Sequence, residues 1–156
     1  MALSKALDGF RPSRKKGSAP NSTGMSEYTI ASGYAVNIFS GDVVTINAGN
    51  IEVVTTIGLG NDVPLGVFGG VSYTKDGEYV YGKYWPASTS ASDIVAHIYD
   101  DANYTFVCQA DASVTAGDVY STTFNVTLGA GSTYTGRSGH GLEAGTRGDD
   151  GAMTVL

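Results

Sequence analysis

At 156 residues with 42% apolar content, the chain has the size and composition of one globular domain. Its single cysteine rules out an internal disulfide, and no apolar run approaches the ~18–20 residues of a helical membrane span. Charged residues make up only 15%, and Gly, Ser, Thr and Tyr take their place, a mixture common in all-β proteins that lock into assemblies.

The net charge of −6 divides unevenly along the chain. Residues 1–24 carry Lys5, Arg11, Arg14, Lys15 and Lys16 against Asp8, a net of +4, and residues 25–156 carry four cations against fourteen carboxylates, a net of −10. The body therefore repels nucleic acid and anionic membranes. Residues 1–26 read as a basic, extended arm. Within it Leu3, Ala6, Leu7 and Phe10 follow helical spacing, which predicts a short helix over residues 2–9, marginal without a partner. Gly17 to Gly24 reads as a tether. The core residues are all expected to lie after it, in a body spanning residues 27–156.

From Glu27 onward the pattern is short β segments with turn signals every eight to twelve residues. Glu27–Ala31 and Ala35–Phe39 read as strands around Ser32-Gly33. Asp42–Ile46 and Ile51–Thr55 flank Asn47-Ala48-Gly49-Asn50, a hairpin signal. Pro64–Tyr73 is a longer strand whose interior glycines, Gly66, Gly69 and Gly70, mark bulges or bends. Lys75-Asp76-Gly77 turns into Glu78–Tyr81. Ile94–Tyr99 and Tyr104–Gln109 read as another hairpin around Asp100–Asn103. Val119–Thr122 and Asn125–Leu128 follow, then an aperiodic glycine-rich loop over residues 129–151. Ala152–Leu156 reads as the start of a further strand, so either the native polypeptide continues or the terminus pairs into a sheet. One internal echo joins Ser40-Gly41-Asp42-Val43 to Ala116-Gly117-Asp118-Val119. The fold class is all-β, a barrel or sandwich of about ten short strands.

Groups that carry chemistry are few. His97 alternates with Val95 and Tyr99 on a strand and reads as structural. His140 lies in the glycine-rich loop, and neither histidine has Asp, Glu or Cys at metal-ligand spacing. Cys108 reads as a small buried hydrophobe. Asp100-Asp101 and Asp149-Asp150 sit in turns, where such residues accept local backbone hydrogen bonds. Arg137-Ser138-Gly139-His140-Gly141 lacks the strand–turn–helix context of a nucleophile elbow. No catalytic residue, metal site or cofactor is therefore expected. The distinctive body feature is the aromatic cluster Tyr73, Tyr79, Tyr81, Tyr84 and Trp85, open to three roles: sugar stacking, a protein interface, or a core edge with wet hydroxyls.

Several motifs then occur in a fixed order: Gly9-Phe10-Arg11-Pro12, Tyr28-Thr29-Ile30-Ala31-Ser32-Gly33-Tyr34, Ser40-Gly41-Asp42-Val43-Val44, Pro64 to Val71, Tyr84-Trp85-Pro86 and Tyr99-Asp100-Asp101. In this the chain resembles the small virion structural proteins of tailed bacteriophages, marine phages in particular, and among them the capsid decoration, or cement, proteins. The resemblance covers most of residues 9–128. It departs where such proteins run on after a Gly-Ser-Gly loop into further strands. It implies a non-enzymatic protein made in the host cytoplasm that binds the outer capsid surface and stabilises contacts between capsomers. The implied partners are the major capsid protein and further copies of the chain, as trimer or dimer, with no nucleic acid and no membrane. The residues expected at those contacts are Leu3, Leu7, Phe10, Arg11, Arg14, Lys15, Lys16, Tyr79, Tyr81, Tyr84 and Trp85. The alternative is a carbohydrate-binding module on a phage particle, using a Tyr/Trp platform.

Overall fold

The structure, a computed structural model, describes residues 7–17, 24–55, 63–119, 123–148 and 153–154. It is all-β, built as several sheets rather than one closed barrel, and a sandwich-like arrangement fits it. The spine is β6, Gly66–Lys75; β1 is Arg11–Lys15, β2 Ser26–Tyr28, β3 Ile38–Phe39, β4 Val43–Asn47 and β5 Asn50–Val53. After the spine come β7 Glu78–Gly82, β8 Tyr84–Trp85, β9 Ser92–Tyr99, β10 Tyr104–Val107, β11 Thr123–Thr127, β12 Gly141–Gly148 and β13 Met153–Thr154.

The main sheet runs β2-β9-β6-β4-β5, with β7 paired to the far half of β6. Two tight turns build it. Ala48 and Gly49 take positive φ (48° and 84°) between Asn47 and Asn50, as do Asp76 and Gly77 (52° and 82°) between β6 and β7. Paired positive φ values make two-residue turns whose twist matches that of the strands. Both hairpins are the ones read from the sequence. The spine is bulged against β9 between Phe68 and Gly70, where Gly69 is skipped. A Cβ at Gly69 would meet Met25 Sδ at 2.6 Å and the Tyr99 ring at 3.0 Å, so a larger residue at this bend would have to push both aside.

Both faces of this sheet are covered where β4 crosses the first half of β6. Adjacent strand residues point to opposite sides, and Val43 and Val67 belong to one cluster while Val44 and Phe68 belong to another. The larger cluster gathers Ile30, Ile38, Ile51, Ile98 and Trp85 around Phe68. The second joins Val43 and Val67 to Phe10, Val54 and Val126, and a third lies between β11 and β12 around Phe124 and Leu142. Each large apolar side chain buried this way contributes up to ~1.5–3 kcal/mol.

Several expectations are corrected here. Phe10 is only 2% exposed and belongs to the core, so the core does not begin after the tether. Leu7–Phe10 is not helical, and Arg11–Lys15 of the arm is a strand antiparallel to β10. The rest of the expected helix, Leu3 included, lies outside the described residues, as does most of Val119–Thr122. β9 and β10 do not pair with each other. Both edges of β9 are taken, by β2 and β6, so β10 finds its partner in β1. In the same way β2 pairs with β9 and β3 with β8, so Ser32-Gly33 turns the chain without making a hairpin. The expected loop over residues 129–151 contains β12, where Leu142 and Ala144 are buried alternately despite the glycines. Pairing with β11 supplies the ladder that propensity alone does not. The expected final strand is present as β13. The internal echo has a shared geometry: Asp42 and Asp118 are both buried and accept the backbone N–H three residues earlier, from Phe39 and Thr115.

Candidate functional site

The basic segment is held by pairing rather than by charge. Arg11↔Val107 and Lys15↔Tyr104 fix its register, and Pro12 is accommodated because, among the described residues, this sheet has only two strands. Thr105 Oγ1 donates to the Arg14 carbonyl at 2.9 Å and Lys16 N–H to the Asn103 carbonyl at 2.7 Å. Lys15 Nζ lies 2.9 Å from Asp101 Oδ2 and 4.9 Å from the Tyr104 ring centre. The hydrogen bond to Asp101 raises the lysine's pKa, and the same bond lowers that of the carboxyl. Arg11, Arg14 and Lys16 face solvent. Phe10 anchors the segment from inside, and Leu7 is half-buried.

The aromatic cluster divides in two. Tyr79 and Tyr81 share one face of β7 and stand 71% and 64% exposed. Tyr84 is half-buried and stacks on Phe39, with ring centres 5.4 Å apart. Trp85 is fully buried, edge-on to Tyr73 at 5.3 Å. Its expected contact role is corrected to core filling, and no sugar platform includes its face.

The exposed half meets the basic segment. An open cleft of about 410 Å³ has Arg11, Lys83 and Arg137 in its lining, together with Asp8, Tyr81 and Tyr99. Asp8 ties two chain segments together. Arg137 Nη1 reaches its two carboxylate oxygens at 3.1 and 3.2 Å, and Arg11 Nη2 pairs with it as well. Lys83 has no carboxylate partner among the described residues. Three of the chain's nine Lys and Arg residues thus converge on one cleft of an acidic protein. The sequence pointed to Arg11 and Tyr81 but not to Asp8, Lys83, Tyr99 or Arg137 as site residues. Nothing local joins residues so far apart; strand pairing does.

Beside the cleft, Asp42, Ser138 and His140 form a buried polar knot. Val43 N–H donates to His140 Nδ1 at 3.1 Å, so the ring proton sits on Nε2, which faces Asp42 Oδ1 at 3.5 Å. Phe39 N–H donates to the Asp42 carboxylate at 2.7 Å, and the Ser138 hydroxyl also bonds it. Ser138 Oγ in turn accepts His140 N–H at 2.8 Å. Burial pushes Asp42 above and His140 below their ordinary pKa values. The residue types are those of a nucleophilic triad, but the serine is sealed from solvent and the imidazole nitrogens face a backbone N–H and a carboxylate. The knot joins segments: Gly9 N–H donates to the His140 carbonyl and Phe10 N–H to that of Gly41. Half-buried Cys108 is pushed up to about 11, which keeps it a thiol. Among the described residues no three His, Cys, Asp or Glu side chains gather to hold a metal, and no helix is long and apolar enough to cross a membrane.

No family model matches the chain, and no curated protein or solved structure matches it either.

Proposed function

We propose that this chain is a non-enzymatic capsid decoration protein that binds the outer surface of a phage head and stabilises contacts between capsomers. The observation that carries the reading is the placement of a basic strand, β1, on an acidic all-β body, alongside the exposed tyrosines of β7. Cations at Arg11, Arg14 and Lys16 complement an acidic groove on the shell and set orientation and encounter rate. Tyr79 and Tyr81 supply amphipathic contact area of the kind enriched at protein interfaces. The major capsid protein is the partner, in concert with further copies of this chain as trimer or dimer, on the outside of the virion. The acidic body does not favour nucleic acid or an anionic membrane.

The exposure of Tyr79 and Tyr81 also favours a second reading, a carbohydrate-binding module on the particle, now resting on tyrosines without Trp85. Sedimentation of the purified protein with undecorated heads separates the two. Saturable co-sedimentation that soluble neutral glycans do not displace is the expected result. A protein left in the supernatant, or stripped from the heads by neutral glycans, counts against the decoration reading.

A further inference from the structure

We infer that the cleft between β1, β7 and the 132–137 turn is a binding site for a carboxylate-bearing saccharide, a hexuronate unit. This goes beyond attachment to a head and stands on the cleft's own chemistry. Three cations, Arg11, Lys83 and Arg137, face a single acid, Asp8. That acid already has the guanidinium groups of Arg11 and Arg137 beside it. Only Nη1 of Arg137 is engaged by Asp8; Nε and Nη2 of the planar fork remain to receive a second carboxylate with two parallel hydrogen bonds. Lys83 adds a mobile point charge with no carboxylate partner among the described residues.

The aromatic side decides between ligand classes. Tyr81 offers an exposed ring face, and Tyr99 lines the same cleft. A sugar ring presents apolar C–H faces to such rings and hydroxyls to their phenols, and a volume of about 410 Å³ suits one or two sugar units. The −10 body opposes long polyanions of every kind, nucleic acid included, so the cleft's few cations suit a short saccharide with one or two carboxylates. A peptide would use the cations but leave the ring faces without a dedicated partner.

The test is calorimetric titration of the full chain with digalacturonate, beside the neutral digalactose, triglutamate and inorganic phosphate. Saturable binding of digalacturonate alone is expected. Lys83→Gln and Tyr81→Ser should each weaken it about tenfold, while Lys75→Gln, at the far end of β6 and outside the cleft lining, leaves it unchanged. Absence of saturable binding overturns the inference. So does equal binding of the neutral sugar, of triglutamate or of phosphate, or an equal loss with Lys75→Gln. Head occupancy is a separate measurement, so failure here leaves the decoration reading standing, and the reverse.

Discussion

The sheet around β6 and the strap formed by β1 and β10 are both antiparallel, yet they are held in different ways. The sheet has two-residue turns and is buried on both faces where β4 crosses the first half of β6, while the β7 side keeps Tyr79 and Tyr81 exposed. The strap joins segments far apart in sequence and rests on Phe10 just ahead of β1, on Tyr104 and Phe106 of β10, on Lys15–Asp101 and on a few backbone bonds. Phe10 and Arg11 are neighbours with opposite roles: one fixes the strand to the body, and the other is left at the surface. The difference teaches that a basic arm can be part of a fold and still present a charged face.

The largest effects test whether the strap is integral. Phe68→Ala, in the spine, should cost about 3–5 kcal/mol of unfolding free energy, and Phe10→Ala should fall in the same range because its ring is equally enclosed. Urea denaturation measures both. A Phe10→Ala protein as stable as wild type would reduce the strap to an appendage. By the same argument, removing residues 1–24 should destabilise the body rather than leave it intact.

Next comes the knot that ties the strap's entry to β4. His140→Ala leaves Val43 N–H and the Asp42 carboxylate short of a partner, at a cost of about 1–3 kcal/mol. Burial sets His140 below its ordinary value of 6.5, so below that pH the unfolded chain takes up a proton that the folded one resists. Protonating Nδ1 would also break the Val43 bond. Stability should therefore fall as pH drops from 7 through 6 and below. Nearer the carboxylate range the raised Asp42 works the other way, because there the folded protein holds the proton more readily. Thermal melts across pH read this, and His140→Ala should flatten the descent below pH 7. An unchanged descent in that variant would assign it to other groups.

The smallest stability effects belong to the surface. Tyr79→Ser and Tyr81→Ser should change unfolding free energy by no more than about 0.5 kcal/mol. A larger loss would mean that these rings are packed, contrary to their exposure.

What was legible in the sequence follows the same division. The β4–β5 and β6–β7 hairpins were readable because Ala48-Gly49 and Asp76-Gly77 decide them locally. The bulge at Gly69 was readable for a similar reason. The β1–β10 pairing was not, since it depends on β9 having no edge left to offer. β12 was hidden by its glycines, although the alternation of Leu142 with Ala144 was a usable signal. In the aromatic cluster, period two placed Tyr79 and Tyr81 on one face, but no local pattern told that face from the buried site of Trp85. The cleft was half visible, through Arg11 and Tyr81. Lys83, Tyr99 and Arg137 reach it only through long-range pairing.

The central claim is that β1 is fixed by Phe10 and meets its partner through its charged face. Its most direct measurement is the occupancy of undecorated heads by wild type and by a variant with Arg11, Arg14 and Lys16 reversed to Glu, across a salt series. The account predicts a folded variant with much reduced occupancy at low salt, and a gap that narrows as added salt screens exposed charge beyond ~8 Å. A folded variant that occupies heads as fully as wild type at every salt concentration would contradict it.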